Sequence, residues 1–298
     1  MNKIKSQFSI KDLENLSGIK SHTLRIWEKR YQLFKPNRTE TNIRYYSLEE
    51  FQKLLNVSFL NNYGYKISRI AKLSESELNN LVKQVYSDKT NSVFAINILK
   101  VAMLNFDAVL FNETHSELSK TKSFTAIFIE IYIPFLSEIG MLWQTNSIKP
   151  IHEHFISNLI YQKLVENICS IQIKDKLIDS DKTFVLFLPE NEAHEISLMF
   201  INYLLINKGY KTIYFGSSIP FIDLLEINKF YDNVEYVSHF TVMPKVEELD
   251  NYMLTFYDKI LKVNSSKLHI SGRQSAYFKL NVPSIFQYNS AQELIDAL

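Results

Sequence analysis

From residue 183 onward, short apolar runs alternate with helical stretches, and this alternation limits the fold more than any other feature. The runs are 183–188 (TFVLFL), 212–215 (TIYF), 234–242 (VEYVSHFTV), 267–271 (KLHIS) and 284–288 (SIFQY). Helices are predicted between them at 193–208, 220–231, 245–261 and 274–280, with a last one at 290–298. Near-continuous apolar strands alternating with helices suit a parallel sheet covered on both faces by crossover helices. Five of them predict a flavodoxin-like α/β domain, a doubly wound parallel sheet over 179–298. Its ligand would lie beyond the carboxyl ends of the strands.

The first third obeys other rules. Ser9-x-x-Asp12, Ser47-x-x-Glu50 and Ser74-x-x-Glu77 have the form of capping boxes, and Ser21 is a plainer cap ahead of His22. They predict helices near 10–16, 22–31, 48–57 and 75–87. Gly18 leaves only a tight turn between the first two, as in a helix-turn-helix. Residues 32–46 are punctuated by Pro36, Asn37 and Asn42 and predict a short β-hairpin wing; 64–71 resume a helical pattern. Charge sets this segment apart. Residues 1–74 hold nine Lys and five Arg against six acids, a net of +8, so the other 224 carry −7 within a total of +1. A basic head on an acidic body implies that only the head faces a polyanion.

In the second predicted helix, Leu24 and Trp27 can pack inward while His22, Thr23, Arg25 and Lys29 face out, with Arg30 and Tyr31 at its end. That is the layout of a recognition helix in a major groove. Arg38, Arg44 and Tyr45 on the wing suit phosphate contacts, which position without reading sequence. A small basic domain that binds a protein has the same outline.

Between 75 and 173 helical periodicity persists almost without Gly or Pro, predicting a bundle of three or four helices within 75–178. Residues 124–143 are long and apolar enough to raise a membrane question, but Glu130, Pro134 and Glu138 interrupt them and favour a core helix over a membrane span. The single cysteine, Cys169, allows neither a disulfide nor a thiolate metal cage within one chain. With no apolar run in residues 1–9, a cytoplasmic protein is expected.

Two acid–imidazole pairs remain. Glu192-Ala193-His194 follows the first strand of the sheet, where a carboxylate could hold one imidazole nitrogen while the other meets a metal. Glu192 equally suits a helix-start acid, and His194 an exposed first-turn residue. Trp143 precedes Glu153-His154 by nine intervening residues, at the end of one predicted helix and the start of the next. These too could be a core tryptophan and a polar helix face.

The run FSIKDLENLSGIKSHTLRIWEKRY followed by RTETNIRYYS resembles the winged helix of the MerR family of transcription regulators over residues 7 to about 72. That resemblance implies a homodimer on an inverted-repeat DNA operator. W-x9-E-H and E-x-H-x-x-S further resemble the motifs of the family's light-sensing, cobalamin-binding branch, the CarH and LitR kind. It implies a winged helix-turn-helix head (1–74), a four-helix bundle capping the cofactor (75–178) and a cobalamin-binding flavodoxin-like domain (179–298). It also implies His194 as the lower axial ligand of cobalt and Glu192 as its partner. Ser238 and Gly272 would lie at the nucleotide tail, and Trp143, Glu153 and His154 against the adenosyl group of adenosylcobalamin. Gly272 has a reason of its own, since close backbone approach to a ligand favours glycine. Three departures stand out: Ser197 replaces the motif's glycine, Gly216-Ser217-Ser218-Ile219-Pro220 matches its loop only loosely, and Gln144 replaces the histidine of light-sensing relatives.

A regulator, not an enzyme, is therefore expected. No region of ~250 residues is left for the barrel that cobalamin modules serve in enzymes. Cobalamin, with or without light, would set operator affinity through a change of oligomeric state in a homodimer or homotetramer. The alternative is a MerR-type regulator with a ligand-free C-terminal domain acting through protein partners.

Overall fold

A computed structural model describes residues 7–88, 92–172, 182–231, 233–264 and 266–298. The chain divides into two units, Met1–Leu159 and Ile160–Leu298. The predicted boundary at 178/179 falls outside the described residues.

In the first unit, helix α1 (Ile10–Ser17) begins with a complete capping box between Ser9 and Asp12 and ends at Gly18, whose φ of 76° closes the turn. Helix α2 (Ser21–Tyr31) starts one residue earlier than the cap at Ser21 predicts, and no side chain caps it. The Ser21 hydroxyl instead donates to Glu14 at 2.5 Å, and the same carboxylate accepts the Ser21 backbone N–H at 3.3 Å. An ionised acceptor from the preceding helix outcompetes Ser21 capping itself.

The wing is an antiparallel hairpin, β1 (Asn37–Arg38) and β2 (Arg44–Tyr45). Helix α3 (Leu48–Asn62) runs five residues past its predicted end because Ser58, Phe59 and Leu60 continue its buried face. The predicted helix at 64–71 shrinks to one turn, α4 (Ile67–Ile70). Helices α5 (Glu75–Asp88), α6 (Ser92–Asn105), α7 (Ala108–Ser119), α8 (Phe124–Ile127), α9 (Ile133–Gln144) and α10 (Pro150–Gln172) follow. A π-helical segment, Phe128–Tyr132, joins α8 to α9. This stretch is the one helix long and apolar enough to cross a membrane among the described residues. Its acids are paired: Glu138 with Lys100, and Glu130 with Lys122. Phe128, Ile131, Tyr132, Phe135, Ile139 and Leu142 are buried along it, as in a core helix.

The second unit holds a parallel sheet of β3 (Thr183–Pro189), β4 (Lys211–Ile219), β5 (Val234–His239), β6 (Lys267–Ser271) and β7 (Ile285–Gln287) in the order β4-β3-β5-β6-β7. This is the flavodoxin-like order, and chain direction across the sheet reverses between β3 and β5. Helix α11 (Ile196–Asn207) is buried nearly all round. The helix predicted at 220–231 is only α12 (Phe221–Leu224) and a 3-10 turn, Ile227–Lys229. There Asn228 bonds to the Tyr236 hydroxyl and the Ile260 carbonyl, drawing the segment out of helical register. Helix α13 (Val246–Phe256) continues through a π turn into α14 (Lys262–Asn264), and α15 (Ala291–Ala297) closes the chain. The helix predicted at 274–280 is a 3-10 turn, Gln274–Tyr277.

Two core acid–base groups bridge neighbouring strands. Glu235 on β5 accepts from Lys267 at 3.1 Å and meets His269 Nε2 at 2.6 Å, while His269 Nδ1 meets the Tyr288 hydroxyl at 3.1 Å. Burial alone would raise the Glu235 carboxyl, but its bonds to His269 and Lys267 win and hold it below the ordinary value. A group depressed in the folded state stabilises above its unfolded pKa, and that stability is lost as the pH falls through its folded pKa. Unfolding of the sheet followed by circular dichroism should therefore become easier below about pH 4. Glu235→Gln should flatten that acid limb, and an unchanged limb would remove Glu235 as its cause.

Candidate functional site

The loop between β3 and α11 sits at the sheet's reversal point. Asn191, in left-handed conformation at φ 66°, turns the chain so that Glu192 points back under the loop, only 1% exposed. Glu192 Oε1 accepts from the His194 backbone N–H at 3.0 Å and meets His194 Nδ1 at 2.5 Å. Its Oε2 accepts the N–H groups of Thr241, Val242 and Met243 at 3.2, 2.6 and 2.8 Å. These three belong to the loop after β5. Burial opposes ionisation, but the bonds from His194, Met243 and Val242 prevail and bring the Glu192 carboxyl down to about 2. Glu192 is thus a fixed anion that orients Nδ1 inward and gives the imidazole extra basicity. The His194 side chain is 58% exposed.

Across the loop, β4 supplies a second set of bonds. The Tyr214 hydroxyl donates to Glu195 Oε1 at 2.8 Å, Asn191 N–H donates to Ser218 Oγ at 3.1 Å, and Ser218 N–H donates to the Glu192 carbonyl at 3.2 Å.

His239, at the end of β5, was not singled out in the sequence, although an imidazole closing an apolar strand was a legible signal. Its Nδ1 meets Ser271 Oγ at 2.9 Å. Burial lowers its pKa to about 4 against the opposing pull of Glu192, and His194 lowers it further, so its ring is neutral at ordinary pH.

The other C-terminal candidates have structural duties. Ser238 is fully buried and its hydroxyl donates to the Phe187 carbonyl at 2.8 Å. Gly272 lies at φ 99°, and a Cβ there would meet the Phe240 carbonyl oxygen at 2.6 Å and its nitrogen at 2.8 Å. The close approach that demands glycine is therefore to the chain's own backbone, a reason other than the expected ligand. Ser197 is half-buried in the first turn of α11.

In the first unit, Trp143 ends α9 and is 54% exposed, beside Gln144. Glu153 and His154 occupy the first turn of α10, with Glu153 Oε1 accepting from Ser157 at 3.1 Å and His154 Nδ1 3.8 Å from Glu153 Oε2. In the head, Leu24 and Trp27 are buried and His22, Arg25, Lys29 and Arg30 are exposed, with Thr23 and Tyr31 half-buried. Arg38 donates to Asn42 Oδ1 at 2.6 Å within the wing, and Tyr45 is half-buried. Arg44 Nε lies 3.4 Å from Glu28, which also accepts from the Tyr46 hydroxyl at 2.8 Å. Glu28, unremarked in the sequence, therefore ties the wing to α2.

A protein with this head, helical module and sheet belongs to a definable class. Residues 8–77 match the MerR HTH family of regulatory proteins, and residues 95–165 match the B12 binding domain. The chain is thus a MerR-type transcriptional regulator carrying a B12 binding domain. It is homologous to two repressors of Myxococcus xanthus. It is 22% identical over 215 residues to the HTH-type transcriptional repressor CarH, covering 70% of each chain. It is 24% identical over 222 residues to the HTH-type transcriptional repressor CarA, covering 71% of this chain and 68% of that one. In fold it is similar to the monomethylamine corrinoid protein of Methanosarcina barkeri, with a TM-score of 0.53 at 14% identity, over 67% of this chain and 94% of the other.

Proposed function

We propose that this regulator binds double-stranded operator DNA as a homodimer or homotetramer and that cobalamin, most specifically adenosylcobalamin, sets its operator affinity. The observation that carries this reading is His194 held by a buried, ionised Glu192 at the reversal point of the sheet. With Nδ1 committed to Glu192, coordination falls to Nε2, the arrangement a lower axial ligand needs. One oriented imidazole is a donor that would suit the cobalt of a corrin, and His194 is the residue that would hold it.

When bound, adenosylcobalamin supplies a cobalt–carbon bond that light can break, so the ligand's bulk depends on illumination. The chain's residues do the rest. Glu192 keeps His194 basic and aimed, and Ser238 and Gly272 shape the strand ends expected to flank the nucleotide tail. Trp143, Glu153 and His154 are assigned to the adenosyl group. Gln144 offers no imidazole, so that position would supply no second histidine toward the cofactor. His22, Thr23, Arg25, Lys29, Arg30 and Tyr31 enter the major groove, with Arg38, Arg44 and Tyr45 on phosphates. The ligand acts by favouring one oligomeric state over another, which requires unequal affinity for the two. The protein is read as a cytoplasmic regulator and not as an enzyme.

The test begins in the dark. Protein mixed with adenosylcobalamin and desalted should keep a corrin spectrum without coordinated dimethylbenzimidazole, and His194→Ala should lose it. Light scattering and affinity for a duplex selected from a randomised pool, each with and without the ligand, should then shift together. A folded, DNA-binding protein that retains no colour would leave the other reading, a ligand-free domain acting through protein partners. Ser197 in place of glycine is the feature that favours it.

A further inference from the structure

The Glu192 carboxylate fixes the His194 loop toward β5, and Ser218 holds the start of the loop, at Asn191 and Glu192, toward β4. All of these holds lie ahead of His194, and a metal-binding imidazole must be placed to within ~0.5 Å and 10–20°. The residue just past His194 supplies the missing constraint. Glu195 turns its carboxylate the opposite way, toward β4, and accepts from the Tyr214 hydroxyl at 2.8 Å. β4 is shaped to receive it: pairing with β3 slips at Leu186/Phe187, and Gly216 falls in that irregularity at φ 82°. A Cβ on Gly216 would lie 2.7 Å from Glu195 Oε1, so the carboxylate occupies the space a side chain would fill. Two residues on, Ser218 engages Asn191 and Glu192 through its hydroxyl and N–H.

We propose that Glu195 and Tyr214 are positioning residues for His194: they form a second clamp that, with Glu192, suspends the axial-ligand loop between the two strands flanking β3. This rests on the reading of His194 as a cobalt ligand. The topology makes the pair effective. In the order β4-β3-β5, a loop leaving β3 has one neighbour on each side, and residues 192 and 195 bracket His194 with one anchor to each. Burial and the adjacent Glu195 carboxylate both push the Tyr214 hydroxyl pKa far up, so it remains a donor at any working pH. Burial and, after it, the nearby Glu195 carboxylate also raise the Tyr161 hydroxyl, so the half-buried carboxylate has a second phenol close by.

The experiment uses the full chain and two readouts, one without ligand. In the apo protein, hydrogen exchange should show Tyr214→Phe and Glu195→Ala speeding exchange of the 192–196 amides roughly tenfold, with β3 and β5 amides unchanged. With hydroxocobalamin, the same variants should bind roughly tenfold more weakly, the usual effect of losing an outer-shell partner. After reduction to cob(II)alamin, the nitrogen splitting from His194 in the electron paramagnetic resonance spectrum should weaken. Glu195→Gln keeps an acceptor for Tyr214 and should restore most of each signal. Unchanged exchange, affinity and splitting in Tyr214→Phe and Glu195→Ala would overturn the proposal. So would loss of protection across the whole sheet, which would make the pair a folding element. If wild type itself retains no corrin, the cobalt reading falls and the proposal with it, whatever the variants do.

Discussion

Glu192→Ala should be the most damaging single change in the second unit, costing about 3–5 kcal/mol of stability and about 10–100-fold in cobalamin affinity. The stability loss comes from the donors left behind. Thr241, Val242 and Met243 N–H groups, together with the His194 N–H, lose their common acceptor beneath the loop. Each orphaned buried donor costs about 1–3 kcal/mol, offset where water enters the space of the missing carboxylate. The affinity loss has another origin. Without the anion, His194 is neither oriented at Nδ1 nor made more basic, so its Nε2 is a poorer and less well-placed ligand. Glu192→Gln separates the two effects: its amide oxygen can still accept the loop N–H groups, but an NH2 group then faces His194. We expect Gln to recover much of the urea-unfolding midpoint while cobalamin affinity stays low. Equal recovery of both would show that the carboxylate matters only for loop packing.

The second large effect belongs to the first unit. Lys100 on α6 is buried, donates from Nζ to the Leu16 carbonyl at 3.2 Å and pairs with Glu138 of α9 at 2.5 Å. Nearby, Asn15 Nδ2 donates to Ser147 Oγ at 2.9 Å. Both bonds grip the last turn of α1, directly before the Gly18 turn that leads into α2. Lys100→Ala leaves the Leu16 carbonyl without this donor, strands Glu138, and enlarges an adjoining cleft of about 340 Å³ lined by Leu16, Ser58, Ile96 and Leu142. Glu138 is 38% exposed, which tempers the charge penalty, so about 3 kcal/mol is expected. In a unit of this size that is a fall of roughly 6–12 °C in Tm. Lys100→Met should lose less, since it fills the volume without satisfying Leu16 or Glu138. A Tm within about 2 °C of wild type for the alanine variant would show that the lysine contributes little, since even 1 kcal/mol moves Tm about that far.

These two residues show where sequence reading runs out. The capping boxes at Ser9 and Ser74 were legible because a helix fixes the distance between residues three apart, and both appear as expected. The same reading failed at Ser21, where the deciding partner was Glu14, seven residues back on another helix. The five strands were legible from their mostly apolar runs, and the site loop from its place after the first of them. Glu192 and His194 could be named because they are two residues apart.

What the sequence by itself determined is therefore local or compositional: where helices start, which runs are strands, which segment carries positive charge, and which imidazole stands beside an acid. Only the tertiary structure decided what holds that imidazole still. The amides that fix Glu192 come from residues 241–243, the phenol that fixes Glu195 from Tyr214, and the neutral His239 from the end of a third strand. Their proximity follows from the strand order β4-β3-β5, which brings both neighbours of β3 to one loop. Spacing along the chain cannot encode such neighbours, because hydrogen-bonded strands may lie any distance apart in sequence and are paired only when the sheet packs.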